Sequence, residues 1–324
     1  MSNSLTEKIP VIAVIGPTAS GKTAVSVELA KIYNAEIISA DSMQIYTGMD
    51  IASAKPTQEE KQGIEHHLMD FLPPGEKYSV ARYCADAGKK AEEIRKRNKN
   101  IIVCGGTGLY IDSFLGNISF EEQPDNTGVR NELKKRLETE GMAVLFDELK
   151  TIDPETADTL HINNEGRILR ALETYILTGE KPSVLRERSR QKPSPYETVY
   201  VFLNYENRET LYDRINRRVD IMMERGLIEE AKEYFSLSDS STASQAIGHK
   251  ELIPYLLGEI TLDEATENLK RATRNYAKRQ LTWFRRNKEA HTVFCDRYSN
   301  SDEIIGEIKR IIDMTELFGR GDEY

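Results

Sequence analysis

Residues 16–23 read Gly-Pro-Thr-Ala-Ser-Gly-Lys-Thr and match the phosphate-loop pattern G-x-x-x-x-G-K-[ST] at every fixed position. The flanking sequence agrees with the motif. Residues 11–15 are the continuous apolar run of a buried parallel strand, and residues 24–33 continue with helix formers and apolar Val25, Val27, Leu29, Ala30 and Ile32. A loop between such a strand and such a helix turns its backbone N–H groups toward one point, at the positive end of the helix dipole. Lys22 adds a full charge, and the Thr23 hydroxyl is suited to ligating a magnesium ion. Gly16, Pro17, Thr18, Ala19, Ser20, Gly21, Lys22 and Thr23 are therefore expected to hold a polyphosphate.

Further strands are predicted over residues 36–40, 101–104, 198–203 and 292–295, alternating with helical patterns as in an α/β parallel sheet. Between about residues 116 and 195 the sequence becomes polar and helix-rich, broken by Asp153-Pro154 and Lys192-Pro193-Ser194-Pro195, with no buried strand pattern. We expect a P-loop NTPase-like parallel sheet flanked by helices, formed by residues 1–115 and 196–324, with a helical insertion domain over 116–195. Helices are expected over 211–235, 262–287 and 302–317.

With 324 residues, of which 39% are hydrophobic, the chain has ample apolar sequence for a core. No run approaches the roughly 18 to 20 apolar residues of a membrane span, and residues 1–10 carry no apolar stretch, so a cytoplasmic protein is expected. Cys84, Cys104 and Cys295 are far apart with no C-x-x-C pair, which argues against a disulfide framework or a zinc site.

The net charge of -9 excludes a uniformly basic nucleic-acid binder, but the charge is unevenly spread. From 270 to 288 there are eight basic residues, Lys270, Arg271, Arg274, Lys278, Arg279, Arg285, Arg286 and Lys288, and no Asp or Glu. Leu269, Tyr276, Ala277, Leu281 and Phe284 recur at helical spacing, while Arg271, Arg274, Lys278 and Arg285 gather on another face. Such a run is ordinarily a solvated helix face; the missing acidic partners in an acidic chain favour contact with a polyanion, most naturally RNA.

The phosphate loop alone leaves kinases, ATPases and GTPases open. The segments downstream of it are less common. Residues 39–46, Ser-Ala-Asp-Ser-Met-Gln-Ile-Tyr, bring Asp41 to the carboxyl edge of the sheet, where open α/β sheets bind ligands. The strand over 101–104 runs into Gly105-Gly106-Thr107-Gly108 with no acidic residue at its end, so a Walker B aspartate is missing and Thr107 offers a hydroxyl in its place.

Together these segments resemble the tRNA dimethylallyltransferases, also called tRNA isopentenyltransferases. The likeness extends through Met49-Asp50-Ile51, Ala54-Lys55-Pro56, His66-His67-Leu68, residues 105–110, residues 167–173, residues 214–222, residues 245–251 and residues 276–285, and so spans nearly the whole chain. His249 stands where the family commonly has Tyr, and the zinc finger frequent at the C-terminus of eukaryotic members is not in this sequence, which points to the bacterial type.

The resemblance implies transfer of a dimethylallyl group from dimethylallyl diphosphate to N6 of the adenine just 3′ of the anticodon, in tRNAs reading codons that begin with U. The loop would then hold the donor's diphosphate, together with Mg2+ on Thr23. Arg214 and Arg218, i and i+4 on one helix face, would complete the clamp, unless they pair with Asp213 and Asp220. Asp41 would act as the base on N6, although an Asp here also suits a turn cap through the Ser42 and Met43 amides. Asp41, Thr107 and Arg218 are the implied catalytic residues. A base turned out of the anticodon loop would be read by Thr107 with Asp41, Ser42, Met43 and Gln44. Further tRNA contacts would come from Arg130, from Gly166, Arg167, Ile168, Leu169 and Arg170, and from Ile247, Gly248, His249 and Lys250. Arg167 and Arg170 equally suit a salt-bridged surface. The His66-His67 pair has no third ligand nearby and reads as structural. No membrane partner and a monomer are expected. Three alternatives remain: an adenylate isopentenyltransferase acting on a free nucleotide, a P-loop small-molecule kinase, and an RNA-binding module without catalysis.

Overall fold

The computed structural model describes residues 8–120, 127–234 and 246–318. Its strands are β1 (Ile9–Ile15), β2 (Ala35–Ser39), β3 (His66–His67), β4 (Asn100–Gly105), β5 (Tyr196–Asn204) and β6 (His291–Phe294). They form one parallel sheet in the order β3-β2-β4-β1-β5-β6. The strand that feeds the phosphate loop is thus central, with Val14 opposite Cys104 of β4 and Val201 of β5. Burial on both faces explains its unbroken apolar sequence, since a parallel sheet is covered by helices above and below. Val11, Ile12, Ala13 and Val14 are all fully buried.

The sheet is interleaved with α1 (Lys22–Ile32), α2 (Gln58–Lys61), α3 (Val80–Lys96) and α4 (Gly108–Leu115). After these come α5 (Thr127–Glu140), α6 (Met142–Ile152), α7 (Pro154–Asp158), α8 (Glu165–Thr178) and α9 (Pro182–Ser189). Beyond β5 lie α10 (Arg208–Glu224), α11 (Leu227–Tyr234), α12 (His249–Leu256), α13 (Leu262–Phe284) and α14 (Ser301–Asp313). The helix expected over 211–235 is two helices, because Gly226 takes a φ of 96° that a right-handed helix cannot continue through. Phe235 and Gln245, both within expected segments, lie outside the described residues.

Edge strand β3 is not among the predicted strands. Its two histidines are structural: His67 Nε2 lies 2.6 Å from Oε2 of Glu36, a carboxylate only 3% exposed within β2. Burial alone would push the Glu36 carboxyl up; hydrogen bonds from Arg97, His67 and Lys99 outweigh it and hold the group at about 2. Among the described residues no cluster of three His, Cys, Asp or Glu is placed to hold a metal ion.

The chain divides into two compact units, residues 1–115 with 194–324, and Gly116–Pro193. The boundary at 193 leaves Ser194 and Pro195 with the sheet, where the Ser194 hydroxyl donates to the Leu115 carbonyl oxygen at 2.6 Å. The second unit has its own core, including Leu133, Leu145, Leu149, Ile168, Leu169 and Leu172. Its Asp153-Pro154 break is a helix start: buried Asp153 caps α7 through the Thr156 amide at 3.1 Å and accepts from the Ser183 amide at 2.9 Å. In the first unit, α10 to α13 close a further apolar cluster around Val219, Leu227, Leu252 and Leu269.

Candidate active site

The phosphate loop leaves β1 with Gly16 pressed on β5: a Cβ there would sit 2.6 Å from the Leu203 carbonyl oxygen, so only glycine fits. Ala19 and Gly21 take φ of 62° and 91°, the alternation that turns successive amides toward one centre. Lys22 Nζ donates to the Pro17 carbonyl oxygen at 2.7 Å and so lies back over the loop. Burial lowers its pKa to about 8, and Cys104 and Asp41 oppose that while Arg218 adds to it. The Ser20 hydroxyl is buried and has no hydrogen-bond partner among the described residues, so a phosphate oxygen would satisfy it.

Arg214 reaches the loop from α10, and Arg218 follows one turn on along the same face, near enough to Lys22 and Asp41 to act on their charges. Arg214 Nε donates to the Ala19 carbonyl oxygen at 2.9 Å and its guanidinium lies 5.6 Å from the Tyr205 ring centre. Neither arginine has a carboxylate partner among the described residues; Asp220 is instead taken by Lys270 at 2.7 Å. Burial pulls the Arg218 guanidinium below its usual value, with Asp41 opposing. Three cations converge on the loop with few anions to balance them, as a diphosphate requires.

Asp41 extends from β2 into the same crevice. Its Oδ1 accepts from the Met43 amide at 2.9 Å and the Gln44 amide at 3.4 Å, so Asp41 does cap the turn, though through Gln44 and not Ser42 as the second amide, and Oδ2 is left for other work. Thr107 meets it from the glycine turn after β4: its Oγ1 accepts from the Ser42 amide at 3.0 Å and its own amide donates to the Ala40 carbonyl oxygen at 3.0 Å. Gln44 is less free than expected, because its side chain bonds the Ser39 hydroxyl and the carbonyl oxygens of Ser53 and Ala54. For the metal, Thr23 on the first turn of α1 is half-buried and its hydroxyl makes no bond among the described residues. A single hydroxyl beside a phosphate site fits magnesium, which is commonly held by few protein groups together with phosphate oxygens and waters.

The remaining expected contacts fall elsewhere. Gly166, Arg167 and Arg170 are exposed in the second unit, but Ile168 and Leu169 are 0% and 2% exposed, so their side chains pack the core and cannot face RNA. Arg130 and Arg170 both pair with buried Glu173, at 3.3 and 2.9 Å, which makes a salt-bridged role the observed one for these two. His249 is also buried: its Nε2 lies 2.9 Å from Glu230 Oε1 and its ring stacks on Tyr234, so it holds structure where contact with RNA was expected. Lys250 is exposed beside it, and Gly248 takes a φ of 118° at the start of α12.

Two residues that sequence reasoning missed stand out. Glu230 gathers the amides of Asp50, Ile51 and Ala52 at 2.9, 2.7 and 2.9 Å and so pins the segment beyond Gln44. Gln280 on α13 joins the phosphate loop to the Gly106 turn. The cationic stretch of α13 and the residue after it is present: among the described residues Arg271, Arg274, Lys278, Arg279 and Arg285 have no carboxylate partner, whereas Lys270 pairs with Asp220 and Glu267 and Arg286 with Asp112.

A central phosphate loop, a cluster of cations beside it and a carboxylate at the carboxyl edge of a parallel sheet define a P-loop α/β protein whose crevice suits a phosphorylated ligand. Comparison with known proteins narrows this. A family model described as IPP transferase matches residues 44–287, a span that begins after the phosphate loop and so does not depend on that widespread motif. The chain is 46% identical to the tRNA dimethylallyltransferase of Acetivibrio thermocellus, over 95% of this chain and 99% of the relative, and 45% identical to that of Clostridioides difficile, over 93% and 97%. Among solved structures it is similar to the full-length tRNA isopentenylpyrophosphate transferase of Bacillus halodurans, with a TM-score of 0.70, 43% identity and coverage of 95% of this chain and 96% of that one. A eukaryotic dimethylallyltransferase acting on tRNA matches with a TM-score of 0.76 at 30% identity, over 95% and 80%. The chain belongs to the IPP transferase family.

Proposed function

We propose that this protein is a tRNA dimethylallyltransferase, moving the five-carbon group of dimethylallyl diphosphate onto N6 of the adenine 3′ of the anticodon in tRNAs that read codons beginning with U. The observation that carries this reading is the meeting, in one crevice, of a diphosphate clamp (Lys22, Arg214, Arg218) and an acceptor-side pair (Asp41, Thr107). The loop amides, Lys22 and the two arginines bind the diphosphate and stabilise the charge it gains on leaving. Mg2+, held by Thr23 and phosphate oxygens, would neutralise part of that charge. The N6 lone pair forms the new C–N bond to the allylic carbon while the C–O bond breaks and its electron pair leaves on diphosphate. Asp41 takes the N6 proton, since the amine is a weak nucleophile until that proton departs. Thr107 orients the base, which must leave the anticodon stack to enter the crevice. A tRNA substrate accords with cytoplasmic location, and a monomer suffices because every group named lies on one chain.

The test is mass spectrometry of unmodified tRNA incubated with protein, magnesium and dimethylallyl diphosphate. A gain of one five-carbon unit on the purine flanking the anticodon is expected. Prenylation of AMP or ADP in preference to tRNA, or cleavage of ATP with a phosphorylated product and no prenyl transfer, would replace this reading with one of its rivals. The glycine turn at the end of β4, without an acidic residue, already counts against the kinase.

A further inference from the structure

Gln280 lies on the helix that carries the cationic face, but its side chain points the other way and is 5% exposed. Its Oε1 accepts from the Thr18 amide at 2.8 Å, and its Nε2 donates to the Gly106 carbonyl oxygen at 3.0 Å. One amide group thus spans the donor-side loop and the acceptor-side turn that carries Thr107. The fit is close: a Cβ on Gly106 would lie 2.1 Å from Gln280 Nε2. The chemistry of the two ends also fixes the amide's orientation, because an N–H needs the oxygen and a carbonyl needs the NH2. A carboxamide supplies an acceptor and a donor from two atoms on one carbon without a change of protonation, which neither a leucine nor an ionised glutamate of similar size can do.

We propose that Gln280 is a positioning residue for prenyl transfer, setting the spacing between the bound diphosphate and the acceptor base held at Thr107. The proposal rests on the function given above. Both substrates can bind in full when this spacing is wrong, but the allylic carbon and N6 then miss their reacting distance, and such errors are costly to rate.

Three readouts test it. In Gln280→Leu, single-turnover transfer at saturating donor and anticodon stem-loop is expected to fall about a hundredfold, with affinities for pyrophosphate and RNA within about threefold of wild type. In Gln280→Glu, a protonated carboxyl restores both hydrogen bonds, whereas an ionised one turns an oxygen toward the Gly106 carbonyl. Its activity relative to wild type should therefore rise as pH falls, and burial raises the pH at which this begins. A side chain serving only to fill space would give both variants one flat ratio. Hydrogen–deuterium exchange judges the bridge without reference to activity: in Gln280→Leu, exchange over residues 16–23 should quicken. Unchanged exchange there overturns the bridge, and quicker exchange with wild-type transfer overturns its part in the reaction. A wild-type protein that transfers nothing would count against the proposed function, and the exchange result would still decide the bridge. If Gln280→Leu fails to fold, the pH profile of Gln280→Glu decides.

Discussion

Lys22 and Asp41 differ in how far their surroundings decide what they do. The Lys22 ammonium is enclosed by the loop and its pKa falls to about 8, so the free protein starts to lose this charge just above neutrality. A diphosphate needs the protonated form. Affinity for pyrophosphate should therefore decline as pH rises through about 8, by up to about tenfold per pH unit, and Lys22→Met should bind weakly without that decline. Calorimetric titration across the range checks the slope. Asp41 has two tasks that one substitution separates. Asparagine keeps an oxygen for the Met43 amide but is no base, so Asp41→Asn should retain pyrophosphate binding and lose about 10²- to 10⁴-fold in single-turnover transfer. Loss of donor binding in parallel would instead assign Asp41 to the turn alone.

At the scale of elements, the site is an assembly of segments fixed by a few buried polar groups. Glu230 on α11 is 8% exposed and holds three consecutive amides, with His249 bonded to it from α12. Burial would raise its carboxyl, but the hydrogen bonds from His249 and the backbone amides prevail and keep it ionised below the usual carboxylate range. Glu230→Ala leaves those amides unsatisfied and should cost about 3 kcal/mol in urea denaturation. An unchanged midpoint would mean that water replaces the carboxylate. These anchors also mark what could be read from the sequence. The phosphate loop and the position of Asp41 at the sheet edge are legible because each depends on local spacing, and i, i+4 spacing puts Arg214 and Arg218 on one face of α10, whereas a place for that pair at the diphosphate comes only from the family resemblance. Glu230 and Gln280 are not legible, because their partners are remote: Gln280 meets Thr18 across 262 positions, and no periodicity records such a meeting. The break at Gly226 and the two-residue strand β3 were missed for a different reason. One glycine in a helical pattern and two histidines after a short helix are weak local signals, and tertiary packing decides both. The family resemblance implies RNA contacts at Ile168 and Leu169, although their helical spacing fits the core face they occupy.

For the whole molecule, the notable property is a net charge of -9 combined with a stretch from 270 to 288 that carries eight basic residues and no acidic one. Four arginines and lysines of α13 and Arg285 just after it, without carboxylate partners among the described residues, would release counterions on meeting phosphates, so RNA affinity should fall linearly with salt on logarithmic axes. Replacing Arg274, Lys278 and Arg285 by Gln should lower that slope by about two to three, while leaving pyrophosphate affinity unchanged. Filter binding of an anticodon stem-loop over a salt series measures it. An unaltered slope would move RNA contact to another surface.

The central place of β1 carries one more consequence, for synthesis. On one side β1 is bounded by β4, but on the other Val11 pairs with Thr198, and the carbonyl that packs on Gly16 belongs to Leu203. As the polypeptide emerges from the ribosome, the most apolar strand of the sheet must wait for its second neighbour until the entire intervening unit has been made. The half-built sheet presents an open hydrophobic edge during that interval, the kind of surface on which nascent chains aggregate, and a product that ends before residue 196 lacks the strand against which Gly16 packs.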